Sequence, residues 1–374
     1  MKVAIITLTD GANYGNRLQN YAMQQLLTSL GHDVETLRRR TYRDKTICGK
    51  IVWYVKDNIK YIIGRPKTKC LSQKRLYMFR RFNRKYIRFA NATLSNNNAP
   101  KGIVDRYDFF VCGSDQIWNT YFREAGDDIL NQLAFFAKPC QRIAYAASFG
   151  AISIENDFSE VFSRELSLFK ALGIREKAGV RIVNELTGRT DACVVCDPTM
   201  MISTDEWAKI EKRPKYVKSG EKYFVTYFIG GRTEKISRRI NELSNEKNLR
   251  VINLDMEYVA DRDIDKPVEF LTTPEEFIWL IHNAEFVLSD SFHASVFSIL
   301  FRRNFLVYSR ISCGENDMND RIATLLSMFG LEECWDDISE PIKDPPNTDY
   351  RRIPDVLKEQ RKNSFNFLEK ALCN

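Results

Sequence analysis

His293 stands in LSDSFHASVFSILF, where one apolar run ends and another begins, with Asp290 three residues before it. An imidazole gives or takes a proton near neutral pH, so a histidine at a strand-to-helix junction beside a carboxylate suits general acid or base work. The other two histidines read differently: His32 after Gly31 as a surface turn, and His282 as a satisfied residue of its own helix. Arg175, in GIRE, carries a guanidinium fork that matches carboxylate or phosphate, although an isolated arginine is more often a surface group. More polar residues gather where other apolar runs stop: Asp10, Asn13, Tyr14, Asn16 and Arg17; Ser114, Asp115 and Gln116; Ser148; and Ser291 beside His293. That mixture suits a polar, anionic or sugar-like ligand.

The loop Asn13-Tyr14-Gly15-Asn16 has two readings. It is a helix entry built from turn residues, or an anion or acceptor site at a helix N-terminus. It matches neither G-x-G-x-x-G nor a phosphate-loop lysine motif. Cys193 and Cys196 form a single CxxC in ACVVC. Without a second pair or a nearby histidine this reads as two buried thiols rather than zinc ligands, and no metal is expected.

The elements that must carry these residues alternate between strand and helix. KVAIITL is a continuous apolar run and predicts a buried parallel strand. Apolar positions at helical spacing predict a helix over Asn16–Leu30, capped by Asn16 and stopped by Gly31, before a second strand in HDVETL. The pattern resumes in DRYDFFVCGSDQIWN, QRIAYAASFGA and DACVVCDPTMM. A charged, turn-rich stretch at 209–221 then predicts a linker. Beyond it come KYFVTYFIGG, a helix over Thr233–Lys247, RVINL, a helix in TPEEFIWLIHNA capped by Thr273, and the strand, loop and helix around His293. The expectation is an α/β protein of two Rossmann-like domains facing a cleft, 1–208 and 222–350. A helix in 351–374 could pack back on the first.

The chain has 374 residues, 44% hydrophobic and 28% charged, which suits two packed domains. Its nine cysteines are odd in number and scattered, which favours reduced thiols in the cytoplasm. Neither a secretory signal nor a membrane-spanning run is expected. The net charge of +7 is uneven: Arg38–Arg88 holds 18 Lys/Arg against Asp44 and Asp57, a balance of +16, leaving −9 for the rest. This segment, about 41–89, predicts an inserted pair of basic amphipathic helices. They could present a solvated face, a nucleic-acid surface or a membrane surface. No nucleic-acid motif accompanies them, and Trp, Tyr, Phe and Ile between the basic residues favour the membrane surface.

TDGANYGNRLQNYA, DFFVCGSDQIWN, AYAASFG, GIREKAGV, CDPTMM and LSDSFHASVFSILF, in this order, resemble the polysaccharide pyruvyl transferase family. The resemblance implies a fold similar to the glycosyltransferase B architecture. It implies phosphoenolpyruvate as co-substrate with no cofactor or metal. It also implies a pyruvate ketal placed on a sugar of a bacterial surface polysaccharide or its lipid-linked precursor, the latter an undecaprenyl-diphosphate-linked glycan. By this likeness His293 lies near the donor, and the chemistry of ketal formation makes it the candidate acid, with Asp115 or Asp290 as partner or base. Arg175 grips the donor, and Asn13, Tyr14, Asn16, Ser114, Gln116 and Ser148 line the cleft. Where some relatives have an arginine this chain has Ser291, so a second donor-binding cation is expected from Arg17, Lys177 or Arg310. The basic segment would then hold the enzyme on the inner face of the cell membrane. The alternatives are a nucleotide-sugar-dependent glycosyltransferase of the same architecture and a non-catalytic glycan-binding relative.

Overall fold

The computed structural model describes residues 1–9, 11–40, 68–95, 97–121, 129–256, 267–310, 318–338 and 343–373. The first half is a seven-stranded parallel sheet in the order β3-β2-β1-β4-β5-β6-β7. Its strands are β1 (Lys2–Ile6), β2 (Asp33–Arg40), β3 (Phe89–Ser95), β4 (Phe109–Cys112), β5 (Arg142–Ala147), β6 (Ala171–Ile174) and β7 (Cys193–Val194). The second half is a five-stranded parallel sheet in the order β12-β11-β10-β8-β9. Its strands are β8 (Tyr223–Tyr227), β9 (Arg250–Asn253), β10 (Phe286–Ser289), β11 (Asn304–Tyr308) and β12 (Trp335–Asp336). No helix or strand lies in 209–222, between the two sheets.

The central strands are apolar throughout because both faces are covered. Alternate residues feed different cores. Ala4, Ile6, Phe110 and Cys112 face one side of the first sheet, while Val3, Ile5, Phe109 and Val111 face the other. The second set is continuous with Tyr223, Val225, Tyr227, Val287 and Phe305 of the second sheet, so one apolar core runs between the two halves. Phe224, Phe286, Leu288 and Leu306 fill the outer face of the second sheet.

Helix α1 (Tyr14–Ser29) lies in that shared core and buries 13 of its 16 residues. Its polar side chains are therefore paired: Gln19 donates to Thr7 Oγ1 at 2.9 Å, and Gln24 to Thr36 Oγ1 at 2.8 Å. The helix begins two residues earlier than its spacing predicts. Asn13 is the cap, its side chain accepting from the Asn16 amide at 3.2 Å, so Asn16 is a helical residue and not the cap.

Of the basic segment, 41–67 lies outside the described residues. The remainder forms α2 (Thr68–Tyr86) and leads into β3. Phe79 and Phe82 on α2 are buried against the core, whereas Lys74, Arg80, Arg81, Arg84 and Lys85 are exposed. Its apolar stripe is thus spent on internal packing, and the outward face is basic.

The other helices that bear on the site are α3 (Lys177–Thr187), α4 (Pro198–Met201), α5 (Pro274–Asn283), α6 (Phe292–Leu300), α7 (Asp320–Phe329) and α8 (Ile353–Leu372). Thr273 caps α5 with a capping box and Pro274 in its first turn. The C-terminal α8 packs on the first half. Ser364 Oγ accepts from the Cys196 amide at 2.9 Å, Arg361 donates to the carbonyls of Met200 and Ile202, and Phe367 presses on Gly173. Among the described residues no helix is long and apolar enough to cross a membrane. The CxxC is not a buried pair: β7 ends at Val194, with Cys193 exposed and Cys196 buried.

Candidate active site

In parallel sheets the loops after the strands open on one side, and here the loops of both sheets meet. Arg175 follows β6, Asp115 follows β4, and Asp197 lies just beyond β7 and caps α4. From the second half, His293 occupies the first turn of α6, directly after β10. Helix α6 is buried along its entire length, as an apolar helix inside a core must be, which fixes the ring at its start.

Asp197 is the hinge of the cluster. Its Oδ2 lies 3.7 Å from His293 Nε2 and 3.2 Å from Arg175 Nη1, and accepts from Ser114 Oγ at 2.6 Å. Its Oδ1 accepts from both the amide and the hydroxyl of Thr199. Burial alone would raise the Asp197 pKa. His293, Arg175 and the hydroxyls of Ser114 and Thr199 outweigh it and hold the carboxyl below its ordinary value. Burial lowers the proton affinity of His293, with Asp197 and Asp115 opposing and Arg175 and Arg321 assisting. The balance shifts the imidazole toward its neutral form.

Arg175 is buried among carboxylates. Asp115 Oδ1 is 3.6 Å from Nη2, Glu176 Oε2 is 3.9 Å from Nε, and the guanidinium lies 4.4 Å over the Phe292 ring. Glu176 accepts from the amides of Phe149 and Gly150, and burial raises its pKa. Ser148, also buried, stands beside it.

A second group comes from the other half. The Asp290 carboxylate accepts from the amides of Ile229 and Gly230, both at 2.7 Å, and lies 3.3 Å from Arg310 Nε. Arg310 also donates to the Asp290 carbonyl at 3.2 Å. Asp290 therefore holds a loop and an arginine in place, and its oxygens are already engaged. Arg321, in the first turn of α7, is buried and donates to the Met318 carbonyl. Burial, then Arg310 and Arg175, drive its proton affinity well down. An arginine stays charged in proteins, so this depression expresses a cation crowded by two others. Gln116 lies between Asn119 and the Arg321 guanidinium.

Four nitrogens in this cluster are buried and without a hydrogen-bond partner among the described residues: Nε and Nη2 of Arg175, Nε of Arg310 and Nε2 of His293. Buried donors of this kind are costly unless something accepts from them. Each faces a carboxylate oxygen only at ion-pair distance, so three arginines here still have hydrogen-bonding capacity that suits an anion with several oxygens. Among the described residues no group of three or more His, Cys, Asp or Glu is placed to hold a metal ion.

Of the residues read from the sequence, His293, Asp115, Arg175, Ser114, Ser148 and Gln116 fall in or against this cluster. Others do not. The Tyr14 ring is fully buried, stacked 4.4 Å from Phe277, edge-on to Tyr227, with its hydroxyl donating to the Thr272 carbonyl. It joins the two halves and lines no cleft. Asn13 is a cap, and Asn16 accepts from Arg17 at 2.6 Å. Arg17 also donates to the Gly11 carbonyl, so it ties its own loop together. Lys177 starts α3 and points to Ser327 on α7. Ser291 is the residue before α6, its amide donating to Ser289 Oγ and its carbonyl accepting from Ser295. Of the three cations considered for the place opposite Ser291, Arg310 is the one that stands beside Asp290. Asp197, Glu176 and Arg321 were not singled out. Asp197 had a signal, an Asp-Pro after an apolar run, which marks a capped helix start at a strand end. Arg321 had none, because only the tertiary packing of α7 brings it here.

The site is a polar one, three arginines among four carboxylates, where the loops of two parallel sheets meet in an α/β protein. The chain belongs to the polysaccharide pyruvyl transferase family, whose pattern matches residues 13–312. No curated protein matches the sequence. Among solved structures, a UDP-GlcNAc 2-epimerase from Neisseria meningitidis aligns at 11% identity and a TM-score of 0.45, covering 100% of this chain and 95% of its own. A UDP-GlcNAc 2-epimerase from Methanocaldococcus jannaschii aligns at 12% identity and 0.45, covering 96% and 100%. A spinosyn rhamnosyltransferase aligns at 9% identity and 0.36, covering 99% and 95%.

Proposed function

We propose that this protein transfers pyruvate from phosphoenolpyruvate to two hydroxyls of a sugar in a bacterial surface glycan or its lipid-linked precursor, forming a ketal and releasing phosphate. The observation that carries this reading is the set of buried nitrogens on Arg175, Arg310 and His293 that face carboxylates but make no hydrogen bond among the described residues, with Arg321 beside them. Phosphoenolpyruvate carries both a carboxylate and a phosphate, enough oxygens to accept from all of them.

The chemistry follows from the residues. A proton is delivered to the methylene carbon of the donor, giving a methyl group and an oxocarbenium-like centre next to the carboxylate. One sugar hydroxyl adds there and loses its proton; the C–O bond to phosphate breaks; the second hydroxyl adds and its proton leaves with the phosphate. His293 supplies the first proton. Burial shifts it toward the neutral form, and the donor's negative charge adds to that of Asp197 and Asp115 to load it. Arg175 and Arg310 hold the donor and offset charge on the departing phosphate. Asp115 is the candidate base for the sugar hydroxyl, because Asp290 is already engaged by two amides and Arg310.

The basic outward face of α2 supports attachment to an anionic membrane where a lipid-diphosphate acceptor resides. Phosphate release from phosphoenolpyruvate, measured with an undecaprenyl-diphosphate-linked glycan present, tests the reading. Release that depends on the glycan and is lost in Arg175→Ala is expected. Sugar transfer from a nucleotide sugar with no use of phosphoenolpyruvate would contradict it.

A further inference from the structure

We propose that Gly15, the second residue of α1, is a positioning residue for His293 and leaves the gap that admits the imidazole. A Cβ built on Gly15 would meet three atoms of the His293 ring first, Nδ1 at 2.1 Å, Cγ at 2.4 Å and Cε1 at 2.8 Å. Real Cβ atoms do not approach so closely, so only glycine leaves the ring its place. The ring cannot easily yield. Its Nε2 edge faces Asp197, Phe292 lies edge-on at 5.3 Å, and the residue is 6% exposed. Gly15 belongs to the first half of the chain and His293 to the second, so this contact sets the ring across the junction of the two domains. The neighbours of Gly15 hold the wall still. Asn13 caps the helix, Tyr14 is wedged against Phe277 and Tyr227, and Arg17 braces the Gly11 carbonyl. Gly15 is thus a gap shaped for a side chain from the other domain.

The proposal rests on the reading of His293 as the proton donor, and one set of four proteins separates the two ideas: wild type, Gly15→Ala, His293→Ala and the double variant. Thermal unfolding of the four needs no substrate. Gly15→Ala lowers the melting temperature by several degrees when His293 is present and leaves it unchanged or higher when residue 293 is alanine. Equal losses in both backgrounds would overturn the proposal. Turnover on the same four reports the positioning role. Gly15→Ala lowers kcat at least about tenfold, with a much smaller change in the KM for phosphoenolpyruvate, and has no further effect on His293→Ala. A Gly15→Ala kcat equal to wild type would overturn the proposal. A wild-type protein that does not turn over phosphoenolpyruvate would count against the donor assignment alone, and the unfolding cycle would still decide the fate of the Gly15 contact.

Discussion

The roles of individual residues at this site are set by where charge is buried and what faces it. His293 is faced by Asp197 and Asp115, which favour its protonated form, and by Arg175 and Arg321, which oppose it. Removing the nearest carboxylate in Asp197→Asn should lower the imidazole pKa further and move the alkaline limb of the turnover profile to lower pH, because the proton donor must be charged to act. With three histidines in the chain, proton NMR can follow His293 directly. An unchanged titration would contradict the pairing. Stability should respond to acid in the same sense. The folded pKa of His293 lies below its unfolded value of about 6.5, so the unfolded chain takes up the proton first and stability falls as pH drops through that value. His293→Gln should flatten this slope. Asp255 works the other way. Burial raises its pKa to about 6, so its contribution is present below its unfolded value and is lost as pH rises through about 6. Denaturant unfolding of Asp255→Asn across this range should show a smaller loss. His293 and Arg175 were legible in the sequence because the side-chain type and the strand-end position agreed. Arg321 was not, since the helix carrying it reveals nothing of what it packs against.

At the scale of elements, α1 and α2 act as a clasp between the halves. Arg75 on α2 stacks over Tyr14, Phe79 and Phe270 and donates to the carbonyls of Phe270 and Ala12. It therefore ties the basic helix to the Gly15 loop and to the second half at once. Arg75→Ala leaves one buried and one half-buried carbonyl without their donor and should cost about 2–4 kcal/mol in denaturant unfolding. Tyr14→Ala removes a fully buried ring and should cost about 3–5 kcal/mol. Losses below 1 kcal/mol in both would show that the clasp does not hold the halves. The central strands and their order of appearance could be read from apolar runs, and α5 from Thr273 and Pro274, whereas the edge strands β3 and β12 offer no continuous apolar run. The start of α1 could not, because Asn13 and Asn16 are equally good caps by type. The choice falls to Asn13 because Tyr14 must enter the core between the halves. The apolar face of α2 was read as available for lipid. The shared core claims it instead, a competition that periodicity alone does not reveal.

For the whole molecule, two parallel sheets share one core, and their loops build a single site to which neither half contributes a complete set of groups. Arg175, Asp115 and Asp197 come from one half and His293, Arg310 and Arg321 from the other. Arg310→Met should therefore raise the KM for phosphoenolpyruvate and lower kcat/KM about tenfold or more, as for loss of a charge-assisted hydrogen bond. The exposed basic face of α2 gives the molecule a second expected behaviour. Sedimentation with anionic vesicles should weaken as salt rises, and neutralising Arg80, Arg81, Arg84 and Lys85 together should weaken it further. The two-domain plan was legible from the repeated strand-loop-helix pattern and the charged stretch between, whereas the closeness of Gly15 to His293 depends on how the halves meet. The most direct test of the central claim is to run the reaction in deuterated water with phosphoenolpyruvate and the lipid-linked glycan, and to take the mass and proton spectrum of the product. The account predicts a pyruvate ketal on the sugar whose methyl group carries one solvent deuterium. An acceptor recovered unmodified, or carrying an added sugar and no ketal, would contradict it.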